Sequence, residues 1–217
     1  MKGTMLVVSA VALHASLGCA QQPPAARPAT PAIASADTNG AGIVPSGYGR
    51  LKQEAIAVEL RQTDLIVRLT PLDESVIRTL APDSYRALRD IADSRRTTIE
   101  RIVRQRGLQR GNLWYVQFFG LATDARFSPL ELTIASGGHE YRPIEVIPLT
   151  ARFGEQRVQP RETQAALYLF EDALDVNQPL TISLGSERTT GWTTVLRNIE
   201  KERASIRSRT QQAPATP

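Results

Sequence analysis

The residue types that most often carry out chemistry in proteins are scarce in this sequence. Its 217 residues include one Cys and two His, and both Cys19 and His14 lie in or beside an apolar N-terminal stretch. Only His139 remains elsewhere, whereas a zinc site needs several Cys, His or carboxylate ligands at suitable spacings. His139 follows Ser136 across a Gly-Gly turn, and no Gly-x-Ser-x-Gly elbow is present. We therefore predict no zinc site and no Ser–His catalytic triad.

Carboxylates and glycines offer no recognisable binding loop either. Glu171, Asp172 and Asp175 do not match the spacing of a calcium-binding loop, so they predict a solvated loop after a strand. Gly137-Gly138 lacks the Walker lysine and the strand-to-helix context of a phosphate-binding loop. The sequence thus predicts no metal and no cofactor. It leaves a carboxylate-dependent hydrolase open, because the two acids of such an enzyme meet only in the fold.

Arginine is the one charged residue type with an unusual distribution. The chain has only three Lys, and the stretch from Arg86 to Arg110 contains eight Arg but only three acidic residues. This pattern is typical of the solvated face of a helix, and it also suits a surface for an anionic envelope component or an acidic protein. No aromatic residues alternate with these arginines, which argues against single-stranded nucleic acid. The candidate anionic-partner face consists of Arg95, Arg96, Arg101 and Arg104.

The N-terminus carries an export signal. Lys2 precedes the 13-residue apolar stretch Met5–Leu17, which is too short for a transmembrane helix and typical of a signal peptide, here residues 1–18. The sequence from Ser16 to Cys19 resembles a bacterial lipobox, in which the acylated Cys becomes the new N-terminus and a membrane anchor. Ordinary cleavage after Ala20 is the alternative, and it would produce a soluble periplasmic or secreted protein.

The charge and composition of the following segments divide the chain into a spacer, a domain and a tail. Residues 19–49 contain the lipidated Cys and a Pro/Ala-rich run, which predicts a disordered linker. The lipoproteins that the signal resembles imply the outer membrane, facing the periplasm, because Ala20 rather than Asp follows the Cys. Residues 208–217 predict a disordered tail, which leaves residues 50–207 as a single domain with one core.

Hydrophobic periodicity within this domain predicts strands, interrupted by a helical insertion at residues 73–107. Asp73 suits the cap of a short helix, Pro82 suits the first turn of a longer helix that ends near Gly107, and a second helical region is predicted to begin near Trp192. Because the helices do not alternate with the strands, the pattern favours an antiparallel α+β fold over a parallel sheet.

The seven predicted strands lie at residues 54–61, 65–69, 112–120, 130–134, 139–149, 163–170 and 180–184. The first two are predicted to form a hairpin. Pro143 and Pro148 predict that residues 139–149 are an edge strand or a bulged strand.

The stretch from Leu113 to Leu184 is similar to the immunoglobulin-like sandwich domains of bacterial envelope lipoproteins. Its matching motifs are Leu130–Ile134, Tyr141-Arg142-Pro143, Pro160-Arg161-Glu162 and Ala166–Phe170. Arg161 departs from the Gly that such domains often carry, and residues 73–107 have no counterpart there. The resemblance implies an immunoglobulin-like β-sandwich with a binding or scaffolding role and supplies no catalytic residues.

These observations predict a non-enzymatic envelope lipoprotein that binds a protein or another envelope component. A small exported carboxylate-dependent hydrolase and a purely structural envelope protein are the alternatives. Export and the lipid anchor imply a membrane partner through Cys19 and no nucleic acid partner.

Overall fold

The computed structural model of the chain describes residues 43–212. The predicted signal peptide, the predicted acylation site Cys19, most of the predicted linker and the last five residues lie outside this range. None of the helices within residues 43–212 combines the length and the apolar character that crossing a bilayer requires.

The described chain is a mixed α+β fold with more strands than helices. Its helices are α1 (Glu74–Ile77), α2 (Pro82–Asp93), α3 (Arg96–Arg106) and α4 (Trp192–Gln212). Its strands are β1 (Val58–Arg61), β2 (Leu65–Pro71), β3 (Asn112–Gly120), β4 (Ala125–Arg126), β5 (Leu132–Ser136), β6 (His139–Tyr141), β7 (Glu145–Pro148), β8 (Arg157–Val158), β9 (Thr163–Phe170), β10 (Thr181–Leu184) and β11 (Glu187–Thr189).

The strands form two larger sheets and one small ribbon, and every strand pair in them is antiparallel. The five-stranded sheet has the order β1-β2-β3-β9-β7, and the four-stranded sheet has the order β11-β10-β5-β6. Strands β4 and β8 pair with each other as the ribbon. The predicted hairpin of β1 and β2 is confirmed, with Val58 opposite Leu69.

One hydrophobic core joins the two larger sheets. Successive side chains of a strand point to opposite faces, so Trp114, Val116 and Phe118 of β3 all point to the same side. There they lie in one buried cluster with Ile134 of β5 and Ile182 of β10. This shared core explains why both sheets carry an alternating apolar pattern.

The opposite face of the five-stranded sheet is covered in part by α2 and α3. Ile102 of α3 packs in a second cluster with Leu167 and Leu169 of β9, and Ile91 of α2 borders this cluster. As a result, β9 is buried on both faces, which accounts for its nearly continuous apolar sequence. Ile66 and Phe119, on the same face of the sheet, lie outside this cluster and are partly exposed.

The helical insertion begins and ends at the predicted residues but contains a break. The side chain of Asp73 caps α1 by accepting from Ser75 N at 2.8 Å, Pro82 opens α2, and Gly107 ends α3 with a left-handed φ of 67°. The single helix predicted from Pro82 to Gly107 is instead two helices. They separate at Ser94 and Arg95, where charged and polar residues interrupt the apolar stripe.

The predicted strand at residues 139–149 is divided between the two sheets. Its first part, β6, is an edge strand of the four-stranded sheet, and its second part, β7, is an edge strand of the five-stranded sheet. Pro143 lies at the crossing, where it can donate no backbone hydrogen bond to a ladder. The predicted edge position is therefore confirmed, although one strand has become two.

The C-terminal helix is longer than the sequence indicated. It continues to Gln212, so residues 208–212, which were predicted as part of a disordered tail, are helical. Trp192 and Ile199 of this helix are fully buried in the shared core, and Ile206 is fully buried as well. The apolar stripe of α4 therefore packs on its own domain.

Candidate functional site

A groove lies on the same face of the five-stranded sheet that α2 and α3 cover in part, at residues that these helices leave exposed. Its volume is about 340 Å³. We call it the sheet groove, and it is lined by Glu59, Ile66, Arg68, Gln117, Phe119 and Thr163.

Strand alternation and register place these side chains together. Ile66 and Phe119 are directly opposite each other on β2 and β3, on the face that points away from the shared core. Arg68 lies opposite Gln117 on one side and opposite Glu59 on the other. Residues two apart on a strand share a face. Ile66 and Phe119 therefore form an apolar floor, and Arg68, Gln117 and Glu59 form a polar border beside it.

The charged pair of the sheet groove is internally neutralised. Both Nε and Nη2 of Arg68 donate to Oε1 of Glu59, at 3.0 and 2.5 Å. Such an ion pair on a half-exposed surface contributes little stability because water screens it. It does fix one positive and one negative group beside Ile66 and Phe119, an arrangement that suits a polypeptide segment with an apolar side chain between polar neighbours.

The four predicted arginines differ in exposure and in their partners. Arg95 is partly buried, and its Nη2 donates at 3.3 Å to the carbonyl of Pro148 on the edge strand β7. Arg96 is exposed and forms an ion pair with Asp93 at 2.6 Å. Arg101 and Arg104 are exposed and have no acidic partner among the described residues.

Arg95 instead has a structural position at an otherwise open sheet edge. β7 is the last strand of its sheet, and Pro148 provides no N–H there, while its carbonyl is occupied by Arg95. Proline and an inward-reaching charge are devices that prevent another strand from pairing with an exposed edge. This edge is therefore a poor docking place for an added strand.

Two acids line a shallow depression of about 270 Å³ on the four-stranded sheet, Glu131 and Glu140. Glu140 pairs with Arg142 at 3.2 Å, whereas Glu131 forms no ion pair within residues 43–212. His139 is exposed on the edge strand β6, opposite Ser136, as expected for a turn histidine. Within residues 43–212, no group of three or more His, Cys, Asp or Glu side chains is arranged to hold a metal ion.

Asp172 anchors the loop between α3 and β3. Its carboxylate accepts from the backbone N–H groups of Gln109 at 2.7 Å, Arg110 at 3.1 Å and Gly111. Partial burial raises the pKa of Asp172, but these three N–H donors and Arg110 outweigh burial and lower the pKa below its ordinary value. Asp172 is exposed in the loop after β9, as predicted, and it also anchors the loop between α3 and β3.

We expect Asp172→Asn to destabilise the protein by about 1 kcal/mol at neutral pH, because the charged acceptor of three N–H groups is lost. A carboxylate with a lowered folded-state pKa contributes stability above its unfolded-state pKa and loses it as the pH falls through the folded-state pKa. The difference between wild type and variant should therefore shrink in acid. Urea unfolding at neutral and acidic pH measures it, with Asp90→Asn as the control. A difference that is constant with pH would contradict the anchoring role.

The sequence contained a signal for the sheet groove that periodicity alone did not single out. Leu65, Val67 and Leu69 satisfy the core-facing pattern of β2, so Ile66 is an extra apolar residue on the other face. Phe119 is the corresponding extra residue on β3. An apolar residue on both faces predicts cover on both sides, and only the fold reveals that the helices stop short of this pair.

Comparison with known proteins yields no relative: no family model, no curated protein and no solved structure matches this chain. The function must therefore be argued from the described residues and from the predicted export signal.

Proposed function

We propose that this protein is a non-enzymatic exported lipoprotein of the cell envelope whose domain binds a protein partner in the sheet groove. In this proposal the acylated Cys19 anchors the chain, with the outer membrane, on its periplasmic side, as the place of the anchor. The two larger sheets would correspond to an immunoglobulin-like sandwich. The shared core and the entirely antiparallel pairing support that part of the proposal.

The single observation that carries the binding role is the uncovered apolar floor of the sheet groove. Phe119 and Ile66 remain partly exposed, although another part of the same sheet face is buried beneath α2 and α3. Burial of an aromatic side chain by a partner is the usual source of binding energy at an interface. The neighbouring Arg68 and Glu59 supply the polar border that surrounds such a contact.

The hydrolase alternative receives less support from the same surface. Glu59 is engaged by Arg68, Glu140 by Arg142, and Asp172 by three backbone N–H groups. A general acid needs a raised pKa, whereas the pKa of Asp172 is lowered. These contacts favour the binding role.

A photo-crosslinking amino acid at Thr163, on the border of the sheet groove, should trap the partner in intact cells. The matched control position is Leu130, which is 68% exposed and lies outside the groove. We expect a protein adduct from position 163 and none from position 130. Phe119→Glu should reduce the adduct by about tenfold or more, since a charge would replace the central apolar contact.

The proposal fails if acylated, folded protein gives no adduct at position 163, or if both positions give the same adducts. Thermal unfolding of the Phe119→Glu variant, followed by circular dichroism, separates loss of binding from loss of folding. Ile66→Val, which shortens the same floor by one methylene, should retain most of the adduct.

A further inference from the structure

The first described residues of the chain are attached to the C-terminal half of α4. Arg209 Nη2 donates to the carbonyl of Tyr48 at 2.8 Å, and Glu202 Oε1 accepts from Arg50 N at 3.1 Å. Gly49 lies between Tyr48 and Arg50 in the chain and packs closely against the backbone of Thr79. A Cβ added to Gly49 would be 2.2 Å from the carbonyl carbon of Thr79. Residues 48–50, on the N-terminal side of the domain, therefore run beside α4.

The solvent-facing side of α4 is basic. Arg197, Lys201 and Arg207 are all exposed, and none of them forms an ion pair within residues 43–212. The two acids of this helix are already engaged, since Glu200 pairs with Arg203 and Glu202 pairs with Arg209. We call Arg197, Lys201 and Arg207 the α4 basic face.

The other exposed side chains of α4 between residues 193 and 208 are one acid, Glu200, which pairs with the buried Arg203, and several small or polar residues. The small or polar residues are Thr193, Thr194, Asn198, Ala204 and Ser208. A helix that inserts into a bilayer needs large apolar residues on the inserted side. The composition of this face instead suits an electrostatic contact with head groups, which leaves the helix on its own domain.

We propose that the α4 basic face lies against an anionic phospholipid surface. The proposal rests on the lipid anchor proposed above, which would hold the domain within reach of the membrane. Residues 20–42 are Pro/Ala-rich and correspond in length to a few tens of ångströms, and the chain that follows them contacts α4 at residues 48–50. An anionic surface complements three cations that form no ion pair within residues 43–212.

Vesicle binding tests this contact independently of the anchor. The protein is the processed chain, residues 19–217, carrying Cys19→Ser, and the vesicles are phosphatidylcholine with or without phosphatidylglycerol. We expect salt-sensitive binding to the anionic vesicles only. Replacement of Arg197, Lys201 and Arg207 by Gln should weaken it by about a hundredfold, since each basic residue near an anionic surface contributes about fivefold.

The matched control removes the same charge from strands instead of from α4. It replaces Arg61 of β1, Arg126 of β4 and Arg157 of β8 by Gln, which are exposed and form no ion pair among the described residues. This control should retain most of the binding. Equal losses in both variants would overturn the proposal, because net charge would then be the cause, and so would full binding by the α4 variant.

The outcome is separable from that of the proposed function. The chain used here has no acylatable Cys and requires no protein partner, so absence of vesicle binding overturns the membrane-facing role of α4 alone. Mass spectrometry of the mature N-terminus tests the anchor, and crosslinking from Thr163 tests the sheet groove.

Discussion

Trp192→Ala is expected to lower the free energy of unfolding by about 3 to 5 kcal/mol, as other truncations of large buried aromatic residues do. Trp192 opens α4 and is fully buried. Its ring lies 5.6 Å from the ring of Trp114 in β3, and its Nε1 donates to the carbonyl of Val176 at 3.0 Å. The substitution therefore removes the contact that holds α4 on the shared core.

Urea unfolding followed by far-UV circular dichroism measures this change. Trp192→Phe is the matched control, because it keeps an aromatic ring but loses the hydrogen bond and part of the volume, and it should cost about half as much. Thr193→Ala, at the adjacent exposed position, should change the stability by less than about 0.5 kcal/mol. A Trp192→Ala loss as small as that of Thr193→Ala would contradict the packing of α4.

The second large effect is expected at Arg203, one turn before the end of the buried stripe of α4. Its side chain is only 1% exposed, and Nη2 donates to Ser75 O at 2.7 Å and to Asn177 Oδ1 at 2.8 Å. Ser75 O belongs to the short helix α1, where the last carbonyl groups lack intrahelical donors. We expect Arg203→Ala to cost about 3 kcal/mol, because these buried acceptors lose their donor.

Arg207→Ala provides the control for Arg203, since Arg207 is exposed on the same helix and should change the stability by less than about 0.5 kcal/mol. Arg203→Met preserves most of the aliphatic volume, so it should separate the loss of packing from the loss of hydrogen bonds. Equal unfolding midpoints for wild type and Arg203→Ala would refute the role of Arg203 as the donor to α1.

A count of charges in a sequence does not distinguish a buried arginine from an exposed one. Composition treats all arginines alike, yet Arg203 is a core residue, Arg95 covers a sheet edge, and Arg207 is free for a partner. Whether an arginine is available depends on the elements packed around it. That information is absent from a local charge count.

Several parts of the fold followed from the sequence because they depend on local interactions. The cap at Asp73, the first-turn position of Pro82 and the helix end at Gly107 each depend only on nearby backbone atoms. The hairpin of β1 and β2 follows from two alternating patterns separated by a short turn. These features were predicted correctly for that reason.

Other features depend on contacts between distant segments, which no local pattern encodes. The division of residues 139–149 between two sheets depends on which neighbour each half meets, β5 for the first half and β9 for the second. The sheet groove exists because α2 and α3 end before they reach Ile66 and Phe119. A periodic pattern records that these residues are apolar but does not record how far a covering helix extends.

The sequence by itself determined the predicted export signal, the scarcity of Cys and His, and the antiparallel α+β character of the domain. The tertiary structure decided which charges are neutralised, which apolar residues remain exposed, and which helix residues 48–50 contact. The physical reason is distance: an ion pair or a buried face requires groups within a few ångströms, and only folding brings Tyr48 to Arg209 or Ser75 to Arg203.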